Sequence, residues 1–289
     1  MQGGVMLLNL GSINIDHVYR MPHLPAPGET LEAESYSVGL GGKGANQSVA
    51  AARAGARILH VGAVGPEGRW ARDWMAAAGV DVTHVAVGEV ATGHAIINLD
   101  EEAENTIVIF PGANRTLDAA TVTAALAAAG PGDTLLLQNE TSAQVEAARL
   151  ASQRGLRVIY CAAPFEIGAV QAVLPYVSLL VMNEGEAAAL RAALGALPEV
   201  AMVVTLGARG AEWLVPGEDR LSVPAFPVTA VDTVGAGDCF TGNLAAALDA
   251  GLAPAEAMRR ASAAAALQVT RPGAAEAMPT AEEVDAFLG

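Results

Sequence analysis

The most pointed chemistry in this chain lies in Val231-Asp232-Thr233-Val234-Gly235-Ala236-Gly237-Asp238. A strand is expected to end there, a Gly-Ala-Gly turn to follow, and a helix to begin at Asp238. Free N–H groups at a helix N-terminus, bared by glycines, form an anion site. An acidic residue in that first turn either caps the helix or points at whatever sits over the anion hole. The two glycines flanking Ala236 favour the second reading, because a plain cap does not need them. An anion hole beside a carboxylate suits phosphoryl transfer to a hydroxyl, with the carboxylate as proton acceptor.

A second cluster, Gly39-Leu40-Gly41-Gly42-Lys43-Gly44, matches G-x-G-x-x-G literally. As a dinucleotide fingerprint it is weak. It follows an irregular segment, and no acidic residue stands about 20 residues on to bind a ribose. Nor is it a Walker loop, since Gly44 follows Lys43 and Ser37 stands where the first glycine belongs. What remains is a glycine turn entering a helix, with Lys43 and then Asn46 beside a small polar ligand.

Asn14 and Asp16 follow the first strand, and Glu140 follows another. Asn183-Glu184-Gly185-Glu186 reads locally as a capping box, or as polar groups holding hydrated magnesium near a phosphate chain. Thr205-Leu206-Gly207-Ala208-Arg209-Gly210 is a strand-to-turn sequence whose backbone could meet phosphate or ribose. One polar residue after a strand is usually a turn residue. Asn14, Asp16, Asn46, Glu140, Asn183 and Asp238 together are better read as lining one crevice. The histidines 17, 23, 60, 84 and 94 show no paired metal spacing and receive no role.

The elements that must position these residues can be read from length and pattern. The chain has 289 residues, 52% of them hydrophobic and 16% charged. That excludes a disordered chain. Lys+Arg is 16 against 31 Asp+Glu, a net charge of −15. So acidic a surface, with 4% aromatics, speaks against nucleic acid. Cys161 and Cys239 form no disulfide framework or zinc pattern. The N-terminal segment has no basic region, and no apolar run approaches about 18 residues. A cytoplasmic protein is expected.

Apolar runs at Val5–Leu10, Ile58–Val64, Thr134–Leu137, Arg157–Tyr160, Val177–Met182 and Val200–Leu206 alternate with helical stretches. This rhythm predicts a central, mainly parallel sheet with helices on both faces. The helix at 67–78 is expected to bury Trp70, Trp74 and Ala78 at i, i+4, i+8. Helices are also expected at about Asp238–Ala250, from Pro254 to Val269, and after Thr280. The irregular regions at about 14–40 and 91–110, the latter with strands Gly93–Leu99 and Asn105–Phe110, read as one small strand-rich subdomain. It would be inserted at two points of a single α/β domain, 1–289.

The chain resembles the ribokinase family of carbohydrate kinases, essentially end to end. The likeness is carried by Gly11-Ser12-Ile13-Asn14-Ile15-Asp16, Pro27-Gly28-Glu29-Thr30, Gly41-Gly42-Lys43-Gly44-Ala45-Asn46-Gln47, Val231 to Asp238, and Val269-Thr270-Arg271 with Gly273-Ala274. The resemblance implies a ribokinase-like fold in which the small β-sheet is a lid and often the dimer interface. It implies ATP-dependent phosphorylation of a sugar primary hydroxyl, D-ribose giving ribose 5-phosphate, in a cytoplasmic homodimer. By motif, Asp238 would be the base, and Gly235, Ala236 and Gly237 would stabilise the transferring phosphoryl. Asn14, Asp16, Gly42, Lys43, Asn46 and Glu140 would hold sugar hydroxyls. Asn183, Thr205–Gly210, Gly237 and Ser262 would face the nucleotide, and Glu186 would help position Mg2+. Asp232, Val234, Gln268, Arg271 and Gly273 would surround a K+ ion. Three positions depart from the pattern. Ala277 stands where a Ser commonly completes the K+ site. Cys161-Ala162-Ala163-Pro164 replaces Asn-Pro-Ala-Pro. Asn139 precedes Glu140 where an apolar residue is usual, and is expected to alter sugar fit. Rival readings are a kinase of the same family for another pentose, ketose or nucleoside, and a non-catalytic sugar binder. A nicotinamide-dependent oxidoreductase is a distant third.

Overall fold

The computed structural model describes residues 6–102 and 104–289. The main sheet is built from β1 (Leu7–Leu10), β4 (Ile58–Val64), β5 (Asp81–Val87), β8 (Thr134–Gln138), β9 (Arg157–Cys161), β10 (Leu179–Asn183), β11 (Ala201–Thr205), β12 (Ala211–Leu214) and β13 (Leu221–Val223). Its spatial order is β13-β12-β11-β10-β9-β8-β1-β4-β5. From β11 to β5 the strands run parallel, while β12 pairs antiparallel with both β11 and β13. The chain leaves β1 toward β4 on one side and returns to β8 on the other. The crevice outside the carboxyl ends of β1 and β8 is therefore a topological switch point, where open α/β sheets bind ligands.

The apolar strands are buried on both faces because helices cover both. Leu7 and Leu136 face one core with α1 (Lys43–Arg53), α2 (Arg69–Ala77), α7 (Ala236–Asp249), α8 (Pro254–Gln268) and α9 (Ala281–Leu288). Leu8, Leu135 and Leu137 face the other with α3 (Ala119–Ala125), α4 (Gln144–Gln153), α5 (Ile167–Val173) and α6 (Glu184–Leu194). Alternate strand residues thus serve opposite layers, as the pleat requires.

A smaller sheet has the order β3-β2-β6-β7, from β2 (Asn14–Arg20), β3 (Ser35–Gly41), β6 (Gly93–Leu99) and β7 (Asn105–Phe110). The pairs β2–β3 and β6–β7 are antiparallel, and β2–β6 is parallel. Asn14 begins β2 shortly after β1 ends, and Gly41 ends β3 just before α1. Both ends of this hairpin are thereby rooted in the crevice. Gly39 and Gly41 belong to this smaller sheet and not to a first parallel strand, which removes the dinucleotide reading of Gly39–Gly44.

Three expectations are corrected. Trp70 is 39% exposed and Trp74 only partly buried, while Ala71 and Met75 are fully buried. The helix buries Ala71 and Met75, one position on from the aromatic spacing, and the Arg53 guanidinium lies 5.8 Å from the Trp74 ring centroid. No strand ends at Val231; the segment there is irregular and tied by the Val231 and Asp232 N–H groups to the Val269 carbonyl. The helix after it begins at Ala236, so Asp238 is its third residue.

Candidate active site

Gly235 precedes α7 with φ 79, a left-handed turn suited to glycine. Asp238 does not cap the helix. Its Oδ1 accepts a hydrogen bond from Gln47 Nε2 at 2.9 Å, and its Oδ2 accepts one from Asn46 Nδ2 at 3.1 Å. Both amides come from α1, which crosses α7 closely because residue 242 is glycine. A Cβ there would lie 2.5 Å from the Gln47 carbonyl oxygen. Asp238 is 8% exposed. A carboxylate so buried needs donors, and it has two. On its other side, a Cβ at Gly237 would meet nothing within 4 Å. The N-terminal face of α7, where backbone N–H groups and the helix dipole favour an anion, is open.

The carboxyl ends of β1 and β8 bring further groups to the same place. Glu140 accepts hydrogen bonds from the Ser12 hydroxyl and from the Lys43 N–H, the latter at 3.1 Å. Asn14 Oδ1 accepts from Asn114 Nδ2 at 2.8 Å, and Asn114 is itself fixed by the Ile13 backbone. The Asp16 carboxylate lies over Gly41, where a Cβ would sit 2.1 Å from Oδ2 and displace it. Burial, then the nearby charges of Glu140, Glu276 and Asp238, push the Asp16 carboxyl up to about 6. Burial pulls the Lys43 ammonium down, but Asp238 first, then Cys161, Glu140 and Glu186, outweigh it and raise the group above its ordinary value. Lys43 is the cation in an otherwise acidic crevice.

Behind the carboxylate runs a chain of buried polar side chains. Gln47 Oε1 accepts from Gln138 Nε2 at 2.7 Å, and the same nitrogen donates to Asn9 Oδ1 at 2.9 Å. Asn9 Nδ2 donates to the Gly44 carbonyl at 2.9 Å and to Ser48 Oγ at 2.8 Å. Ser48 Oγ lies 2.8 Å from His60 Nδ1, and His60 Nε2 lies 3.1 Å from the Gly11 carbonyl. The polarity of each link follows from its ends. The carbonyls of Gly11 and Gly44 can only accept, so His60 carries its proton on Nε2 and Asn9 turns its nitrogen toward Gly44. Asn9 then offers oxygen to Gln138, Gln138 offers nitrogen to Gln47, and Gln47 is left with nitrogen facing Asp238. Burial brings His60 down to about 4, so the ring stays neutral and the order holds at ordinary pH.

Along the rest of the sheet edge, Asn183 and Glu186 form a capping box. Asn183 Oδ1 accepts the Glu186 N–H at 2.9 Å, and Glu186 Oε2 accepts the Asn183 N–H at 2.8 Å. Burial raises the Glu186 carboxyl. Thr205 ends β11, and Gly207–Arg209 form a single 3-10 turn, with the Arg209 side chain paired outward to Glu184 at 2.5 Å. Ser262 is buried on α8. Asn139 does not point into the crevice chemistry expected of it. Its Nδ2 donates to the Pro164 carbonyl at 2.8 Å, and its Oδ1 faces Gln144 Nε2 at 3.4 Å.

A family model described as pfkB family carbohydrate kinase matches residues 6–281. The chain belongs to this family of carbohydrate kinases. It is 37% identical to a ribokinase of Haemophilus influenzae, over 96% of this chain and 97% of that one. It is 30% identical to a deoxyribokinase of Salmonella typhimurium, over 96% and 97%. A ribokinase of Arabidopsis thaliana solved with ribose and ATP superposes with a TM-score of 0.86 at 28% identity, covering 99% of each chain.

As a pfkB-family sugar kinase the protein is an enzyme, which sets aside the purely binding and oxidoreductase readings. Of the residues singled out from sequence, Asp238, Asn46, Lys43, Asp16 and Glu140 converge, linked by the contacts and charges above. Asn14 and Gly42 flank them. The side chain of Arg271 turns away to Glu283, at 2.7 Å, and Ala277 is buried with no side-chain oxygen to offer. Gln47, Gln138, Asn9 and His60 received no role from sequence. A signal did exist: Asn9, His60 and Gln138 are polar residues within otherwise apolar buried strands.

Two outcomes are expected. Asp16 titrates in the fold near 6 against 3.8 as an ordinary carboxyl. Its contribution to stability is fully present below the lower value and is lost as pH rises through the upper one. Asp16→Asn should therefore raise the unfolding midpoint by a few degrees at about pH 8 and by nothing at about pH 4, measured by differential scanning calorimetry. Gln138→Glu presents only acceptors, so the Gln47 amide must reverse and turn oxygen toward Asp238. Turnover should fall about tenfold or more while KM values stay within about twofold, measured by steady-state kinetics.

Proposed function

We propose that the protein phosphorylates the primary (O5) hydroxyl of D-ribose with Mg-ATP, giving D-ribose 5-phosphate. The observation that carries this reading is the Asp238 carboxylate, oriented by two amides beside the open N-terminus of α7 and a crevice of hydroxyl-binding groups. The names of the relatives support it, ribokinase above all.

In this reading Asn14, Asp16, Lys43, Asn46 and Glu140 hold the sugar so that O5 stands between Asp238 and the γ-phosphoryl. Each Asp238 oxygen accepts one amide N–H and retains a lone pair. One of these takes the O5 proton as the O5–P bond forms and the bond from phosphorus to the leaving ADP oxygen breaks. Charge on the transferring group falls against the N–H groups of Gly235 and Gly237, and against that of Ala236 once it turns from the Thr233 carbonyl to which it donates at 3.2 Å. General-base help of this kind is worth about 10²–10⁴-fold.

Asn183, Thr205–Gly210 and Ser262 flank the nucleotide in this arrangement. Among the described residues no group of three or more His, Cys, Asp or Glu side chains could hold a metal ion. Magnesium would therefore be held by phosphate oxygens and water, with Glu186 outside the water, and would neutralise phosphate charge. Buried free thiols at Cys161 and Cys239, and the use of ATP, fit a cytoplasmic enzyme. No helix among the described residues is long and apolar enough to cross a membrane.

The smaller sheet serves as lid to this single α/β body, and we assign it a second copy of the chain as partner. One face of it is apolar from edge to edge: Val108 is 65% exposed and Phe110 46% on β7, Tyr36 and Val38 are exposed on β3 at the opposite edge, and Ile96 of β6 lies on the same face between them. A contiguous apolar face of this kind marks an interaction surface.

Asp238→Asn should fold normally and lose about 10²-fold or more in turnover; near-native turnover would sink the base assignment. ADP release with D-ribose, 2-deoxyribose, arabinose, fructose and nucleosides tests the sugar, and preference for another of them would move the specificity while leaving the base in place. Val108→Glu should convert a dimer to a monomer in sedimentation equilibrium, whereas a monomeric native protein would refute the interface.

A further inference from the structure

Val234 and Gly273 stand far apart in sequence, yet each is held by the same two side chains. The Asp232 carboxylate takes their N–H groups: Oδ1 accepts from Val234 N at 2.9 Å and Oδ2 from Gly273 N at 3.0 Å. The Gln268 amide takes their carbonyls: Nε2 donates to Val234 O at 2.8 Å and to Gly273 O at 3.0 Å. Both carbonyls can only accept, so nitrogen must face them. Gln268 is fully buried, and its Oε1 has no partner.

Two convergent carbonyls beside a carboxylate are the donor set of a small cation, and the family resemblance implies potassium here. These residues do not fit it as they stand. The –NH2 group is at contact distance from both carbonyls and leaves no room between them for an ion. Ala277 supplies no oxygen, and both Asp232 oxygens already accept N–H groups. We propose that the Gln268 amide replaces a monovalent cation in this enzyme, tying the turn before α7 to the 270–274 segment without one. The segment so held includes Val234, next to Gly235, and sets where α7 begins. The orphaned Oε1 is what the arrangement gives up.

The link to turnover rests on the reading of the α7 N-terminus as the phosphoryl site; the link to stability does not. Thermal unfolding and ribose-dependent ADP release are compared in choline, sodium and potassium chloride at about 0.1 M ionic strength. Native protein should unfold within about 1 °C in all three and turn over within about twofold, because nothing binds the native state selectively. Gln268→Ala leaves two carbonyls facing a gap. It should unfold earlier in choline, regain several degrees in potassium, and show turnover at least about fivefold higher with potassium. Gln268→Glu, of the same size, should show the same ion requirement, and it decides the matter if the alanine variant does not fold. A native protein that gains several degrees or about fivefold turnover in potassium overturns the proposal. So do variants whose response matches the native protein. If no sugar is phosphorylated in any salt, the kinase reading fails and the unfolding midpoints still decide the role of Gln268.

Discussion

In the proposed reaction, a carboxylate that is to collect a proton beside a polyphosphate must be buried, ionised and aimed at once. Burial alone works against ionisation, and a cation close enough to offset it would also bind the carboxylate too firmly. The structure meets this constraint with neutral amides. Asn46 and Gln47 give Asp238 one N–H each, and the close crossing of α1 and α7 at Gly242 brings them there. Much of the surrounding architecture serves that crossing. The amide of Gln47 has only one acceptable orientation, which Gln138 and Asn9 impose from the two central strands. The polar chain ends on the Gly11 and Gly44 carbonyls, at the base of the hairpin that carries Asn14 and Asp16. Asp238, the start of the hairpin with Asn14 and Asp16, and the sheet centre are thus one hydrogen-bonded unit.

The open N-terminus of α7 in front of Asp238 depends on a different cross-link. A helix start is only as well placed as the turn that leads into it, and residues 224–235 form no strand that could hold it. The paired grip of Asp232 and Gln268 on Val234 and Gly273 supplies the missing support, with the backbone bonds to Val269 beside it.

The fold was legible where pattern and packing agree. A continuous apolar run gave the bounds of Ile58–Val64 as observed, the acidic turn at 100–102 set off the strands Gly93–Leu99 and Asn105–Phe110, and the box at Thr280 starts α9. The phase of α2 was not, because large aromatics suggest burial while the close approach to the sheet takes Ala71. Asp238 illustrates the limit at the site. Its place near a glycine turn is visible in sequence, but its partners come from a helix about 190 residues earlier, which only the tertiary crossing reveals. The roles of Asn9, His60 and Gln138 were hidden for the same reason, although their intrusion into apolar strands marked them as residues needing an explanation. Gln268 was named from the motif only as a neighbour of a K+ ion; that its side-chain amide takes the two carbonyls there is visible only in the fold.

The charge distribution has a kinetic consequence. A molecule with net charge −15 repels a polyanion at long range, and the N-terminus of α7 and Lys43 attract only over the last few ångströms. Capture of the nucleotide is therefore uphill before it is downhill. Screening over about 8–10 Å at physiological ionic strength removes most of the first part and little of the second. Salt should thus hasten arrival of the phosphate donor, the reverse of ordinary electrostatic steering, and the neutral sugar should approach indifferent to it.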